Sequence, residues 1–220
     1  MAMNPAAVRE IDPPVKRFGS GMDASVSLLT NFAQLPGGFK WRGHTWPSSE
    51  HAFQAALRVP FDYWSWFAEG GRCSTLDGLG LVFPLSELQK KTTHYGPTRT
   101  GKVAMVGIVA KMAVKQKVAK KIGLPLLSPD ESVHSVDEME ELFLDILMAK
   151  YRACASARSQ LLATAGHHLV EFSRAAERDT KKGKPPLWTG LVSKNDNMLY
   201  GHNMQGELQM RVRERLFQDA

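Results

Sequence analysis

Cysteine is scarce: Cys73 and Cys154 are the only two in 220 residues, and they stand far apart. That argues against a disulfide framework and favours a reducing compartment, so the expected location is the cytoplasm, or the nucleus in a eukaryote. No apolar run reaches the roughly 18 residues that a membrane span needs, and the N-terminus lacks the apolar core of a signal peptide; no membrane partner is expected. HExxH, CxxC, GxGxxG and P-loop patterns are all missing, so neither a cofactor nor a metal is expected. A zinc site from Cys73, His44 and His51 would rest on no spacing rule. Strand signal is thin and no internal repeat occurs.

What remains is the composition of a globular protein, with 43% hydrophobic and 23% charged residues. The formal net charge of +6 is compatible with a polyanionic partner or a phosphate-bearing ligand, though a plain solvated surface is the commoner reason for such a balance. Residues 1–24 carry adjacent prolines and "GSGM" and read as a flexible leader. Residues 25–220 read as one α+β domain, mostly α-helical, with a small β-sheet. "GFKWRGHTW" predicts a hairpin turning at Arg42-Gly43. Pro47 ends it, and Ser48 or Ser49 caps the helix "EHAFQAAL". "FDYWSWFAEGG" reads as a helix running into a loop. Pro84 to Gly101 reads as an exposed excursion, and Val103 to Ile122 as one helix. Ser135 and Glu138 form a capping box ahead of a helix with apolar residues at helical spacing. "SARSQLLATAG" is a short helix, and a last helix starts near Met204 with Asn203 as its cap.

Several side chains are candidates for chemistry, each with an ordinary structural alternative. Glu50 falls in the first turn of its helix, where a carboxylate is favoured by the helix dipole. Trp46, His51 and Phe53 surround it in sequence, and an aromatic wall desolvates a carboxyl group and raises its pKa. Glu171 closes the apolar "HHLVEF", where a carboxylate needs a partner or a purpose; Arg174 is the partner at hand. Lys111 sits in "GIVAKMA", a lysine in an apolar helical stretch. Such a lysine snorkels to water or, enclosed, becomes a neutral nucleophile. "GHNMQGELQMRVRERL" places a polar cluster at a helix N-terminus, where amides either hold a phosphate or are simply capped.

Taken in order, "LTNF", "WPSSEHAFQ", "GIVAKMA", "LLATAGHHLVEF", "LWTG" and "GHNMQGELQMRVRERL" resemble the NADAR family, also called YbiA-like proteins. The resemblance runs from about Ser25 to Leu216. Its most specific parts are the Trp-Pro-Ser-Ser-Glu-His block and the Gly-His-Asn block. It implies a compact, mostly helical α+β domain that cleaves the N-glycosidic bond between a ribose and an exocyclic amine. The substrate it implies first is ADP-ribosylated guanine in DNA or RNA, or as the free nucleoside. Ribosylamino intermediates of riboflavin synthesis come second, and a non-catalytic ADP-ribose or nucleic-acid binding module is the third reading.

Position by position, Glu50 matches the family's helix-start glutamate, Asn31 its Ser-Asn-Phe asparagine, and Trp46 the aromatic before Pro-Thr/Ser-Ser-Glu. Trp188 and Gly190 match a Trp-Gly element, here with Thr189 interposed. Asn203 matches the asparagine of the final block. Ser49 and Glu171 join the expected substrate-binding set. Two departures stand out: Leu57 occupies a position where many members have lysine, and Asp179 is only a loose match to an aspartate ahead of Trp-Gly. The implied chemistry assigns catalysis to Glu50 and to a lysine that holds the sugar as a Schiff base, Lys111 first and Lys40 second. Trp46 and Trp188 are expected to stack on a base. Asn203, with the amides of the last helix, is expected to hold phosphate or ribose oxygens.

Overall fold

The computed structural model describes residues 7–12, 14–19, 24–75, 106–132, 135–193 and 197–219. The excursion expected between Pro84 and Gly101, and the helix start at Val103, lie outside them. The described chain is α+β and mostly helical, with small sheets, and it divides into two compact units. One comprises residues 31–158, the other residues 1–30 with 159–220.

In the unit of residues 31–158, the hairpin forms as its sequence predicts. Strands β1 (Val8–Glu10) and β2 (Val15–Phe18) belong to the other unit; here β3 (Phe39–Trp41) and β4 (His44–Trp46) pair antiparallel, with Phe39 opposite Trp46. Arg42 (φ 45°) and Gly43 (φ 81°) both adopt the left-handed region that a two-residue type I′ turn demands. Helix α1 (Ser49–Arg58) follows at once, and Ser48 is its cap, the hydroxyl accepting from the His51 N–H. The aromatic stretch forms a 3-10 helix, Phe61–Trp66.

The single helix expected up to Ile122 is two: α2 (Gly107–Ala113) and α3 (Gln116–Ile122), broken where Lys115 turns extended. Met112, Ala113 and Val114 are all buried. Three consecutive residues cannot share one face of a straight helix, so the break lets each find the core. Helix α4 (Val136–Ala153) begins with the predicted capping box, reciprocal bonds between Ser135 and Glu138. It packs on α1, Phe143 lying 4.8 Å from Phe53, and on β3, where Trp41 donates its indole N–H to Asp145 at 2.8 Å. A short helix α5 (Ala155–Leu162) follows.

In the unit of residues 1–30 and 159–220, the expected leader is corrected: it carries two strands. β1 (Val8–Glu10) pairs antiparallel with β7 (Met198–Tyr200), which pairs with β6 (Leu191–Val192). β2 (Val15–Phe18) runs parallel to β5 (His168–Glu171). Ile11, Val170, Val192 and Leu199 form the core of this layer, and Phe18 is completely buried. These strands are three or four residues long and their partners lie at the far end of the chain, so no local pattern marks them. Helix α6 (Ala176–Lys181) precedes β6, and α7 (Met204–Gln218) packs against β5. Arg213 of α7 donates to the Thr164 and His167 carbonyls, and Arg9 pairs with Glu207.

Candidate functional site

Glu50 stands at the second position of α1 and is 5% exposed. Its N–H donates to the Asn31 carbonyl at 3.1 Å, and its Oε1 accepts from Gln54 Nε2 at 2.9 Å, one helical turn on. Burial raises the carboxyl's pKa above the ordinary glutamate value; the charge of Lys111 and then the Gln54 hydrogen bond pull it part of the way back. Helix α2 comes very close at this point. Gly107 donates its N–H to the Phe32 carbonyl at 3.0 Å. A Cβ added at Gly107 would lie 2.8 Å from Glu50 Cβ, 2.7 Å from Phe32 Cα and 3.0 Å from Ser48 Oγ. Asn31, Glu50 and Lys111 are therefore brought together, with Gln54, Phe32 and Gly107 between them.

Lys111 does not have the enclosure its sequence neighbours suggested. It is exposed, with Nζ 5.4 Å from the centre of the Phe32 ring. The reason is periodicity: Val109, Ala110, Met112 and Ala113 turn to the core and the intervening lysine turns outward. Lys40 is exposed too, the outward residue of β3, and no contact among the described residues joins it to Glu50.

Trp46 is a correction. It is completely buried; its indole N–H donates to the Trp41 carbonyl at 2.9 Å, and its ring packs against Trp41, His44 and Trp64. No face is left for a base. The alternation of β4 turns Trp46 inward, so it packs within the cluster of Trp41, His44 and Trp64 rather than serving as a stacking platform. Ser49 is buried, and its hydroxyl has no hydrogen-bond partner among the described residues. His51 is buried in the core with Nδ1 2.8 Å from Ser48 Oγ. Burial drives its pKa down to about 3 against a weaker upward pull from the backbone of Cys73 and Ser74, so the ring is neutral. Burial raises the Cys73 thiol to about 11, the signature of an inert core cysteine. No group of three metal-ligating side chains occurs among the described residues.

The other unit holds Glu171, Trp188, Gly190 and Asn203. Asn203 (φ 55°) does not cap α7 with its side chain. Its amide bridges β5 instead: Oδ1 accepts from the Glu171 N–H at 3.0 Å and Nδ2 donates to the Leu169 carbonyl at 2.8 Å. Four amides around the start of α7 are spoken for as well. His202, Asn203, Met204 and Gln205 donate to the carbonyls of Pro186, Thr189, Leu187 and Trp188. The expectation that these groups hold a phosphate is corrected accordingly, since their donors are satisfied within the chain. Glu171 is buried while Arg174 is exposed. Gly190 exchanges backbone bonds with Glu171 and Ser173 and packs against Leu199. Trp188 is half-buried, and Asp179 pairs with its neighbour Arg178 at 2.9 Å.

Two residues at the Glu50 site, Gln54 and Gly107, were not singled out from the sequence. Gln54 was legible in principle, lying one turn from Glu50 in the quoted block. Gly107 was not, because its closeness to Glu50 is a tertiary contact.

No protein-family model matches the chain, and no curated protein matches it. Among solved structures, the chain is similar to the NMR structure of the E. coli protein YbiA, with 24% identity over 93% of this chain and 86% of that chain and a TM-score of 0.47. Among the described residues no helix is long and apolar enough to cross a membrane.

Proposed function

We propose that this protein is an N-glycosidase that cleaves the bond between a ribose and an exocyclic amine, and that its substrate is ADP-ribosylated guanine in DNA or RNA. The observation that carries the reading is the Glu50 carboxyl: buried, raised in pKa, held by Gln54 and under the charge of Lys111. The motif resemblance supports the substrate class, and the net charge of +6 suits a phosphate-rich ligand.

The chemistry follows from those groups. An N-glycoside of an exocyclic amine keeps a hydrogen on nitrogen, so the sugar opens to an imine at C1′. The amine of Lys111 adds to C1′; the bond from C1′ to the guanine nitrogen then breaks, its electron pair leaving with the nitrogen. Glu50 takes up the proton that the Lys111 nitrogen sheds as it adds to C1′. Its desolvated carboxylate is a stronger base than an ordinary one, and it passes the proton on to the departing nitrogen. Water then adds to C1′ of the lysine imine, and the amine leaves to release free ADP-ribose.

The test is incubation with an oligonucleotide ADP-ribosylated on guanine, followed by mass analysis. Free ADP-ribose and unmodified guanine are expected, while a thymine-linked adduct stays intact because its linkage is not to an exocyclic amine. Equal release from both adducts, or from neither, contradicts the reading.

A further inference from the structure

Glu50 is gripped from two sides, by Gln54, which neither bears the reaction nor belongs to the expected site, and by Lys111, the amine of the proposed reaction. From its own helix, Gln54 donates to Oε1 at 2.9 Å. Residues four apart on a helix share a face, so Gln54 can hold the carboxyl in one rotamer without any help from the rest of the fold. From the facing helix comes Lys111, the charged group that acts on Glu50. Lys111 is four residues beyond Gly107, hence on the same face of α2. Gly107 is where the two helices touch, its bare α-carbon against Glu50 Cβ, Phe32 Cα and Ser48 Oγ. Any side chain at position 107 meets the Phe32 backbone at 2.7 Å, which cannot swing aside as a flexible side chain would. The helix must back away, carrying Lys111 with it. Helix α4, packed on α1 elsewhere, meets it through Phe143 against Phe53, and the neighbouring His51 is neutral.

We infer that Gln54 and Gly107 are positioning residues of this site: Gln54 fixes the Glu50 carboxyl along its own helix, and Gly107 sets the helix spacing that brings Lys111 within range of it. The inference rests on the proposed function for its catalytic meaning, but its geometry is tested without turnover. Gln54 cannot be replaced by an apolar residue of similar size without losing the only donor it supplies to Oε1. Gly107 cannot gain a methyl group without the spacing changing.

The experiment is a titration of the Glu50 side-chain carboxyl by ¹³C NMR on the full chain, in wild type and in Gln54→Leu, Lys111→Met, Gly107→Ala and Gly107→Ala/Lys111→Met. Both grips favour the ionised carboxylate, so Gln54→Leu and Lys111→Met each shift the midpoint upward. Gly107→Ala shifts it upward as well, and adds nothing once Lys111 is gone, because it acts through that lysine. A wild-type midpoint in Gln54→Leu overturns the assignment of Gln54. A wild-type midpoint in Gly107→Ala, a shift that adds in full to that of Lys111→Met, or a chain that does not fold overturns the assignment of Gly107. A merely structural role for either residue lowers Tm and leaves the midpoint in place. Should the protein release no ADP-ribose from any substrate, the titration still decides this inference on its own.

Discussion

Asn203 holds strand β5 as a neighbouring strand would: its side-chain oxygen accepts the Glu171 N–H at 3.0 Å while its nitrogen donates to the carbonyl of Leu169, two residues back. A short side chain in a left-handed conformation thus replaces a missing backbone partner, satisfying two buried groups that would otherwise stand unpaired.

Asn203→Ala leaves both backbone groups without partners and is expected to cost about 2–4 kcal/mol of stability. Asn203→Asp keeps the acceptor but sets a buried carboxylate oxygen against the Leu169 carbonyl, and is expected to cost at least as much at neutral pH. Chemical denaturation of the three proteins checks the order. An alanine variant as stable as wild type removes the clamp from the account.

His51 predicts a specific loss of stability in acid. Its pKa is about 3 in the fold against 6.5 ordinarily. The unfolded chain therefore takes up a proton that the folded chain refuses, and the contribution is whole above pH 6.5 and lost as pH falls towards 3. The full window is worth about 5 kcal/mol. Denaturation of wild type and His51→Gln across pH 3 to 7 should show the variant losing less stability on acidification. Parallel curves would mean that the ring charges freely in the fold.

Lys111 is predicted to carry the sugar. Borohydride added during turnover should trap a ribosyl adduct on Lys111, and Lys111→Arg should be inactive although its positive charge is kept, because a guanidinium does not form the imine. Peptide mapping by mass spectrometry locates the adduct. An adduct on Lys40 moves the assignment. If no adduct forms and Lys111→Arg still turns over, the amine has an electrostatic part only.

What was legible in the sequence was local. The Arg42-Gly43 turn, the Ser48 cap, the Ser135 and Glu138 box and the start of the last helix are each fixed by a handful of adjacent residues, and each is where the sequence puts it. The strands at Val8–Glu10 and Val15–Phe18 were read as leader because their hydrogen bonds go to residues some 150 to 190 positions away. At the site, Glu50's burial followed from its aromatic neighbourhood. The direction of Lys111 did not, because the apolar residues around it mark a buried helix without saying which turn faces water. Trp46 was read as a ligand platform from its residue type and its place in the Trp-Pro-Ser-Ser-Glu-His block. A buried indole whose N–H finds a carbonyl five residues back looks the same in sequence.

Glu50 is predicted to set stability against the proposed function. Its raised pKa means that the folded state resists ionising it, so the contribution is whole below about pH 4.5, the ordinary glutamate value, and is lost as pH rises through the folded value. Glu50→Gln keeps the volume and the oxygen that accepts from Gln54 while removing the charge. Its Tm at pH 7.5 should be at or above that of wild type. A lower Tm would mean that the ionised carboxylate stabilises the fold.

The most direct test of the central claim is the rate at which Glu50→Gln releases ADP-ribose from the guanine-modified oligonucleotide, measured beside wild type under saturating substrate. The account predicts a kcat reduced by about a hundredfold or more, as for loss of a proton-transferring group, in a protein whose fold is unchanged by circular dichroism. A kcat close to that of wild type would take Glu50 out of the chemistry, and the proposed reaction with it.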